Sequence, residues 1–384
     1  MRIVQITTDN REPFRQYDRT VPWFGAAPEA LLEGFAAFPE VEVHVLGCTQ
    51  KPMRASPEKL APNIWFHSLH VPKLGWMRTA YQGCVRAVRR RVQELKPDLV
   101  HGQGTERECS LSAIFSGFPN VLTIHGNMAE LARFNRDRPF TFGWLAARLE
   151  NFALPRSAGV FCNSAYTESL VRPRARRTWR VANPLRQPFF APVPAGERPT
   201  PARLLNVGVV SPRKRQVEML DLAAKLHAEG VPIVFDFVGA CPGADAYQNV
   251  FLEKLAVAER AGFACWSKPR PVEALIPLFD QATGVLHFPG EEAFGLVVGE
   301  ALARNLKFFG ARLGGVQDIA DGVEGAELFS AEDWEGLGRA IAAWVKAGAP
   351  RPRQAATTMA DRYSPQVIAA RHLEIYREVL SSRV

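Results

Sequence analysis

The chain has no run of eighteen apolar residues, so none of its segments reads as a membrane-spanning helix. Its first residues, MRIVQITTD, lack the charged and apolar regions of a secretory leader and read as a first strand, which predicts a cytoplasmic protein. Cysteine is sparse: Cys48, Cys84, Cys109, Cys162, Cys241 and Cys265 form no C-x-x-C pair. Neither a zinc site nor a disulfide framework is indicated, and buried reduced thiols are expected. No D-x-D acid pair is placed to hold a metal, and no metal is expected. Acidic residues are short in one half only. Residues 1–190 carry 26 Lys and Arg against 16 Asp and Glu, whereas residues 191–384 carry 21 against 23, within a formal net charge of +8. A basic half suits an anionic membrane surface, an acidic substrate or nucleic acid. Nucleic acid ranks last, because the arginines are scattered and no recognised nucleic-acid motif accompanies them.

At 384 residues the chain has room for two domains of ordinary size. Its most informative stretch is PGEEAFGLVVGEALA, residues 289–303, which follows the strand-length apolar run TGVLHF, residues 283–288. Pro289 and Gly290 stop the strand, and a helix is expected near Gly295. The first turn of that helix presents free backbone N–H groups from Phe294 to Val297, a place for a phosphate or a polarised hydroxyl. Glu292 precedes the turn and Glu300 lies inside the helix. Both carboxylates can lean towards the carboxyl end of the strand, where open α/β sheets bind ligands. A carboxylate accepts two hydrogen bonds and so fits a vicinal diol. Solvated glutamates on a surface helix are the alternative, which the apolar Leu296, Val297 and Val298 oppose.

Taken with the Phe294-Gly295 pair and the downstream LGGVQDIADG, residues 313–322, the Glu292-x7-Glu300 spacing resembles the E-x7-E signature of retaining glycosyltransferases of family 4. The resemblance implies a GT-B fold: α/β, with two Rossmann-like α/β/α domains facing across a cleft. The rhythm of the chain agrees, since short apolar runs alternate with helical patterns as in a parallel sheet. The boundaries read as an N-terminal acceptor-binding domain over 1–190, a linker over 191–202 with four prolines, a nucleotide-sugar domain over 203–362, and a helix over 363–384 crossing back to the first domain. The resemblance departs in two places. Where the family has paired glycines near the first helix this chain has Gly25 followed by Ala26, and where the family has an arginine after Gly208 it has Val209.

Within the first domain, the pattern over residues 76–95 predicts one helix with Tyr81, Cys84, Val85, Val88, Val92 and Leu95 on its buried stripe. Arg78, Arg86, Arg89 and Arg90 fall away from that stripe, a face suited to peripheral contact with an anionic membrane at the inner surface. His101 and His125 each stand before a glycine at the end of an apolar run and are expected at strand ends. The resemblance gives His125, Glu292 and Lys214 catalytic positions. It gives donor contacts to Gly25, Gly208, Arg213, Lys214, Glu292, Phe294, Gly295, Leu296 and Glu300, and His101, Glu106 and Asn127 are the acceptor-side candidates. In this scheme Glu300 binds the ribose, Glu292 with the Phe294 and Gly295 backbone holds the sugar hydroxyls, and Lys214 with Arg213 meets the leaving diphosphate. The implied reaction is metal-independent, hexosyltransferase-type transfer with retention, as in polysaccharide biosynthesis. The donor is a UDP- or GDP-linked sugar, and the acceptor a glycan, glycolipid or small molecule. A sugar-nucleotide epimerase and a non-catalytic sugar-nucleotide-binding protein remain the alternatives on the same fold.

Overall fold

The computed structural model describes residues 1–193, 199–243 and 245–382. It divides into two compact units, one of Met1–Arg186 with Ser364–Val384 and one of Gln187–Tyr363. The middle of the proline-rich segment read as a linker, residues 194–198, lies outside the described residues.

In chain order the first unit holds β1 (Arg2–Ile6), α1 (Ala26–Ala36), β2 (Glu42–Thr49), β3 (Lys59–Ala61), β4 (Ile64–His70) and α2 (Gln82–Leu95). These are followed by β5 (Leu99–Gln103), α3 (Glu108–Ile114), β6 (Asn120–Ile124), α4 (Met128–Phe134), α5 (Phe142–Ala153), β7 (Val160–Cys162), α6 (Ala165–Val171) and β8 (Thr178–Arg180). The second unit holds β9 (Ala202–Val207), α7 (Gln216–Ala228), β10 (Ile233–Val238), α8 (Ala246–Ala261), β11 (Ala264–Ser267), α9 (Val272–Gln281) and β12 (Gly284–His287). Its remaining elements are α10 (Leu296–Ala303), β13 (Lys307–Ala311), α11 (Gly314–Ala320), β14 (Ala326–Phe329), α12 (Trp334–Lys346) and α13 (Ala355–Tyr363), after which α14 (Pro365–Ser381) returns to the first unit.

The first sheet runs β3-β4-β2-β1-β5-β6-β7-β8, parallel except for the short antiparallel edge strand β3. Alternate residues feed two apolar layers, as a pleated strand buried on both faces requires. Ile3, Val43, Val45 and Leu99 pack with Phe35 of α1 and Tyr376 of α14, whereas Val4, Ile6, Leu46 and Val100 pack with Val85 and Val88 of α2 and Leu111 of α3. The returning helix is seated closely on α1: a side chain at Gly34 would meet the Pro365 carbonyl oxygen at 2.1 Å.

The second sheet runs β11-β10-β9-β12-β13-β14, all parallel. Leu204, Phe235, Phe237 and Leu286 of its strands pack against Met219 and Leu220 of α7, Phe251 of α8 and Leu337 of α12. In each sheet the strand order reverses at one place, between β1 and β5 in the first and between β9 and β12 in the second. Loops leaving neighbouring strands there turn to opposite faces and open a crevice at the carboxyl ends.

The helix expected over 76–95 begins only at Gln82. Residues 77–79 form a separate 3₁₀ turn, and Ala80 and Tyr81 take left-handed conformations with φ of 47° and 61°. The cause is a tight return of the chain: an added Cβ at Gly83 would lie 2.5 Å from Gly75 Cα, and Trp76 Nε1 donates to the Val71 carbonyl at 2.8 Å. Arg78 therefore sits outside the helix to which the pattern assigns it, while Arg86, Arg89 and Arg90 project exposed from α2.

Candidate active site

The second unit assembles its site where the loops after β9 and β12 meet. The β12 loop runs over residues 288–295 and ends at Gly295, whose φ of +90° supplies the left-handed residue that opens α10. Its course is fixed by the start of α11. Gly315 N donates to the Glu292 carbonyl at 3.1 Å, and any Cβ at Gly315 would lie 2.3 Å from Phe294 Cα. This close approach is the physical reason for a glycine in the GGV segment. Phe294 is buried and packs edge-on against Tyr363, with ring centroids 6.1 Å apart.

The β9 loop brings three cations. They occupy the turn before α7 rather than its first helical turn, since α7 starts at Gln216 and Arg215 takes φ +57° as its cap. The turn, not a helical spiral, decides where each points. Lys214 Nζ donates to Glu292 Oε2, its stem running past Gly208. Arg213 Nη1 donates to the Glu291 carbonyl at 3.1 Å and lies 3.3 Å from Glu291 Oε2 and 3.9 Å from Glu292 Oε1. Arg215 turns the other way, to the Ala331 carbonyl at 2.7 Å and Glu332 at 2.9 Å. Val209, where the family has its arginine, stands 56% exposed and offers no donor.

Two residues that the sequence pattern did not single out complete this cluster. His287, the last residue of β12, is buried and places Nε2 3.0 Å from Glu292 Oε2. Burial, reinforced by the Lys214 charge, brings its pKa down to about 4, so the ring is neutral near pH 7. Glu291 is buried beside Arg213, and burial pushes its carboxyl up despite that cation. Burial acts on Glu292 in the same direction, but Lys214, the His287 hydrogen bond and Arg213 outweigh it and hold Glu292 well below the usual carboxylate range. Adjacent carboxyls are thus driven apart by which cation each one faces. The signal for His287 was its place at the end of the strand that leads into the loop. Glu300 lies in the second turn of α10 and is 4% exposed. Leu296 opens α10 and is half-buried.

In the first unit the candidates separate. His101 lies inside β5 rather than at its end and is fully buried, with Nδ1 2.5 Å from the Tyr376 hydroxyl and Nε2 2.6 Å from Thr123 Oγ1. It shares its face of the strand with Leu99, the face covered by α14, so it is a core histidine and not an acceptor contact. His125 does follow the end of β6. Its Nε2 lies 3.0 Å from Gln103 Oε1, and burial brings its pKa down to about 4. Asn127 is buried before α4, its amide donating to Thr167 Oγ1 at 3.2 Å. Glu106 curls back over Gly104, where its Oε2 would be 2.2 Å from an added Cβ, and its Oε1 is 3.8 Å from the corresponding position at Gly126, next to His125. Burial, with the Glu150 charge adding, pushes its carboxyl up to about 7. Glu150, another residue the pattern missed, accepts from Met128 N at 2.9 Å and Thr105 Oγ1 at 2.9 Å and is paired with Arg174 at 2.9 Å, so it anchors the start of α4. Gly25 is the exposed cap of α1 at φ −63°, and its nearest neighbour to an added Cβ is 3.6 Å away, so nothing in the backbone demands glycine there.

Two sequence families match the chain in succession. Glycosyltransferase Family 4 covers residues 29–183, and Glycosyl transferases group 1 covers residues 191–360. The chain belongs to glycosyltransferase family 4. Its GT-B fold agrees with solved structures of low sequence identity. Sucrose-phosphate synthase from Thermosynechococcus elongatus superposes with a TM-score of 0.77 at 17% identity, covering 100% of both chains. Anabaena HepE in complex with UDP-glucose gives 0.69 at 17% identity and also covers 100% of both. The lipopolysaccharide outer core galactosyltransferase WaaB gives 0.66 at 15%, again over 100% of both. No curated protein matches in sequence. Among the described residues no helix is long and apolar enough to cross a membrane.

Proposed function

We propose that this glycosyltransferase moves a hexose from a UDP- or GDP-linked donor to a glycan, glycolipid or small-molecule acceptor, with retention of the anomeric configuration and without a metal. The observation that carries the reading is the convergence of Lys214 and Arg213 with Glu292 below the start of α10, at the carboxyl ends of β9 and β12. Transfer from such a donor develops positive charge on the sugar ring and negative charge on the departing diphosphate. Preorganised cations, a carboxylate and the N–H groups of α10 can meet both without rearranging. Lys214 and Arg213 take the diphosphate. Glu292, with the Phe294 and Gly295 backbone, holds the sugar hydroxyls, and Glu300 takes the ribose diol. Gly208, beside the Lys214 stem, is assigned a backbone contact to the donor; an added Cβ there would lie 4.0 Å from that stem, an ordinary contact distance. His125 is assigned the catalytic position of the first unit, and Glu106 and Asn127 its acceptor side. UDP-glucose in the Anabaena HepE complex supports a nucleotide-sugar donor.

Incubation with a panel of sugar nucleotides tests this reading. Slow release of nucleoside diphosphate and free sugar is expected, continuing in excess EDTA, and the early transfer product should keep the donor's anomeric coupling in its proton spectrum. An epimerised donor, or binding without turnover, would sink it, whereas activity lost to EDTA and restored by magnesium or manganese would overturn the metal-independent part alone. The exposed Arg86, Arg89 and Arg90, with Leu74 73% exposed nearby in the chain, further suit contact with an anionic membrane surface. That contact should bring the protein down with anionic vesicles and not neutral ones, and should weaken steeply with salt.

A further inference from the structure

A cavity of about 440 Å³ opens at the carboxyl end of the first sheet, at its switch point. Its walls come from the segments that leave four adjacent strands: Trp76, Met77 and Tyr81 after β4, Gln50 after β2, Pro13 after β1 and Arg107 after β5. The first residue of α5, Phe142, closes one side. Loops from four neighbouring parallel strands converging on one hollow is the arrangement in which open α/β sheets hold ligands.

The chemistry of this hollow differs from what a bare sugar needs. Its lining is aromatic or apolar apart from Gln50 and Arg107. Trp76 and Tyr81 are nearly buried, whereas Met77 and Phe142 remain 39% and 47% exposed, large apolar surfaces left at its edge. Arg107 is the one cation in the lining. Its guanidinium carbon sits 5.0 Å from the centre of the Trp76 ring, and Nε pairs with the buried Glu108 carboxylate at 3.6 Å, an ion pair longer than a hydrogen bond. Arg107 also directly follows Glu106, the acceptor-side carboxyl. An apolar pocket with a few convergent polar groups fixes a ligand by burying its hydrocarbon and orienting it through those groups.

We propose that this pocket receives the alkyl or aryl group of the acceptor, and that Arg107 meets an anionic group carried next to it. The proposal rests on the glycosyl-transfer reading and narrows its acceptor to an anionic amphiphile or aryl anion.

The full-length protein is titrated with 1-anilinonaphthalene-8-sulfonate, an aryl anion that fluoresces in apolar surroundings. Saturable binding at one site is expected, with displacement by dodecyl phosphate or 4-nitrophenyl phosphate, and little displacement by dodecyl maltoside or inorganic phosphate. The stronger of the two phosphates tells an alkyl from an aryl source. Phe142→Asp and Met77→Glu should each weaken the probe at least about tenfold, since each removes apolar contact and puts an anion beside the ligand. Arg107→Gln should weaken the anionic probes. Calorimetric titration of the same variants with UDP reports on the second unit and on folding. Probe affinity lost while UDP affinity is kept supports the proposal. Unchanged probe affinity in Phe142→Asp and Met77→Glu, or failure of both phosphates to compete, overturns it. If the wild-type protein binds the probe in this pattern but not UDP, the donor reading fails and the pocket assignment stands.

Discussion

Lys214 donates to the Glu292 carboxylate, and this contact joins the loop after β9 to the loop after β12 across the switch point of the second sheet. Both side chains are largely withdrawn from solvent, at 16% and 11% exposure. A charge pair of this kind is costly to break from one side, because the remaining partner is left buried and unmatched. The pair therefore does two jobs. It positions the cation assigned to the donor diphosphate, and it keeps the neighbouring carboxylate ionised.

The three consecutive cations should consequently separate in function. With saturating donor, Lys214→Ala is expected to lower kcat by roughly a hundredfold or more and to lower Tm, as Glu292 loses its principal partner. Arg213→Ala should cost about tenfold, since it faces both glutamates from further away. Arg215→Ala should leave kcat nearly unchanged. Similar small effects at all three would place the diphosphate elsewhere.

Glu300 gives a test confined to the donor. Losing a charge-assisted hydrogen bond to a ribose should cost roughly 1.5 to 3 kcal/mol, about ten- to a hundredfold in donor affinity. Glu300→Gln keeps the shape of the side chain, so thermal unfolding should change little. A calorimetric titration with UDP that matches the wild type would remove Glu300 from the site.

Gly315 tests whether the α11 start shapes the β12 loop. A methyl group there would overlap Phe294 Cα and the Ala293 carbonyl oxygen, at 2.3 and 2.6 Å, and both are backbone atoms with little room to yield. Gly315→Ala should destabilise by about 1 to 3 kcal/mol and weaken UDP binding at the same time. Wild-type values for both Tm and UDP affinity would show that the loop is held by other means.

The Glu106 carboxyl makes a prediction with a definite sign. Its folded value of about 7 exceeds the unfolded reference of about 4.3. The folded state therefore holds its proton more tightly, so the contribution to stability is complete below about pH 4 and is lost as pH rises through 7. Glu106→Gln removes this dependence. The Tm of the variant relative to wild type should rise by at least about 2 °C between pH 5 and pH 8 in differential scanning calorimetry. A constant difference across that range would mean that Glu106 ionises like an exposed carboxylate.

The sequence determined the α/β class, the alternating rhythm of both units and the strand–loop–helix course of residues 283–303, because those depend on local period, on stopping residues and on a glycine free to adopt φ +90°. It also singled out Glu292, Glu300 and the basic residues 213–215 as candidates. What it left undecided depended on contacts between distant residues. His101 and His125 stand in similar His-Gly contexts, yet one is sealed under Tyr376, a residue 275 positions away, and the other follows its strand's end. Periodicity over 76–95 could not reveal that Gly75 and Gly83 press together and delay the helix to Gln82. His287 and Glu291 became site residues only once the β9 turn brought Lys214 and Arg213 against them, from more than seventy positions away. A local pattern fixes which face or turn a residue occupies. Which distant charge or ring it meets there is decided by the strand order of the sheet.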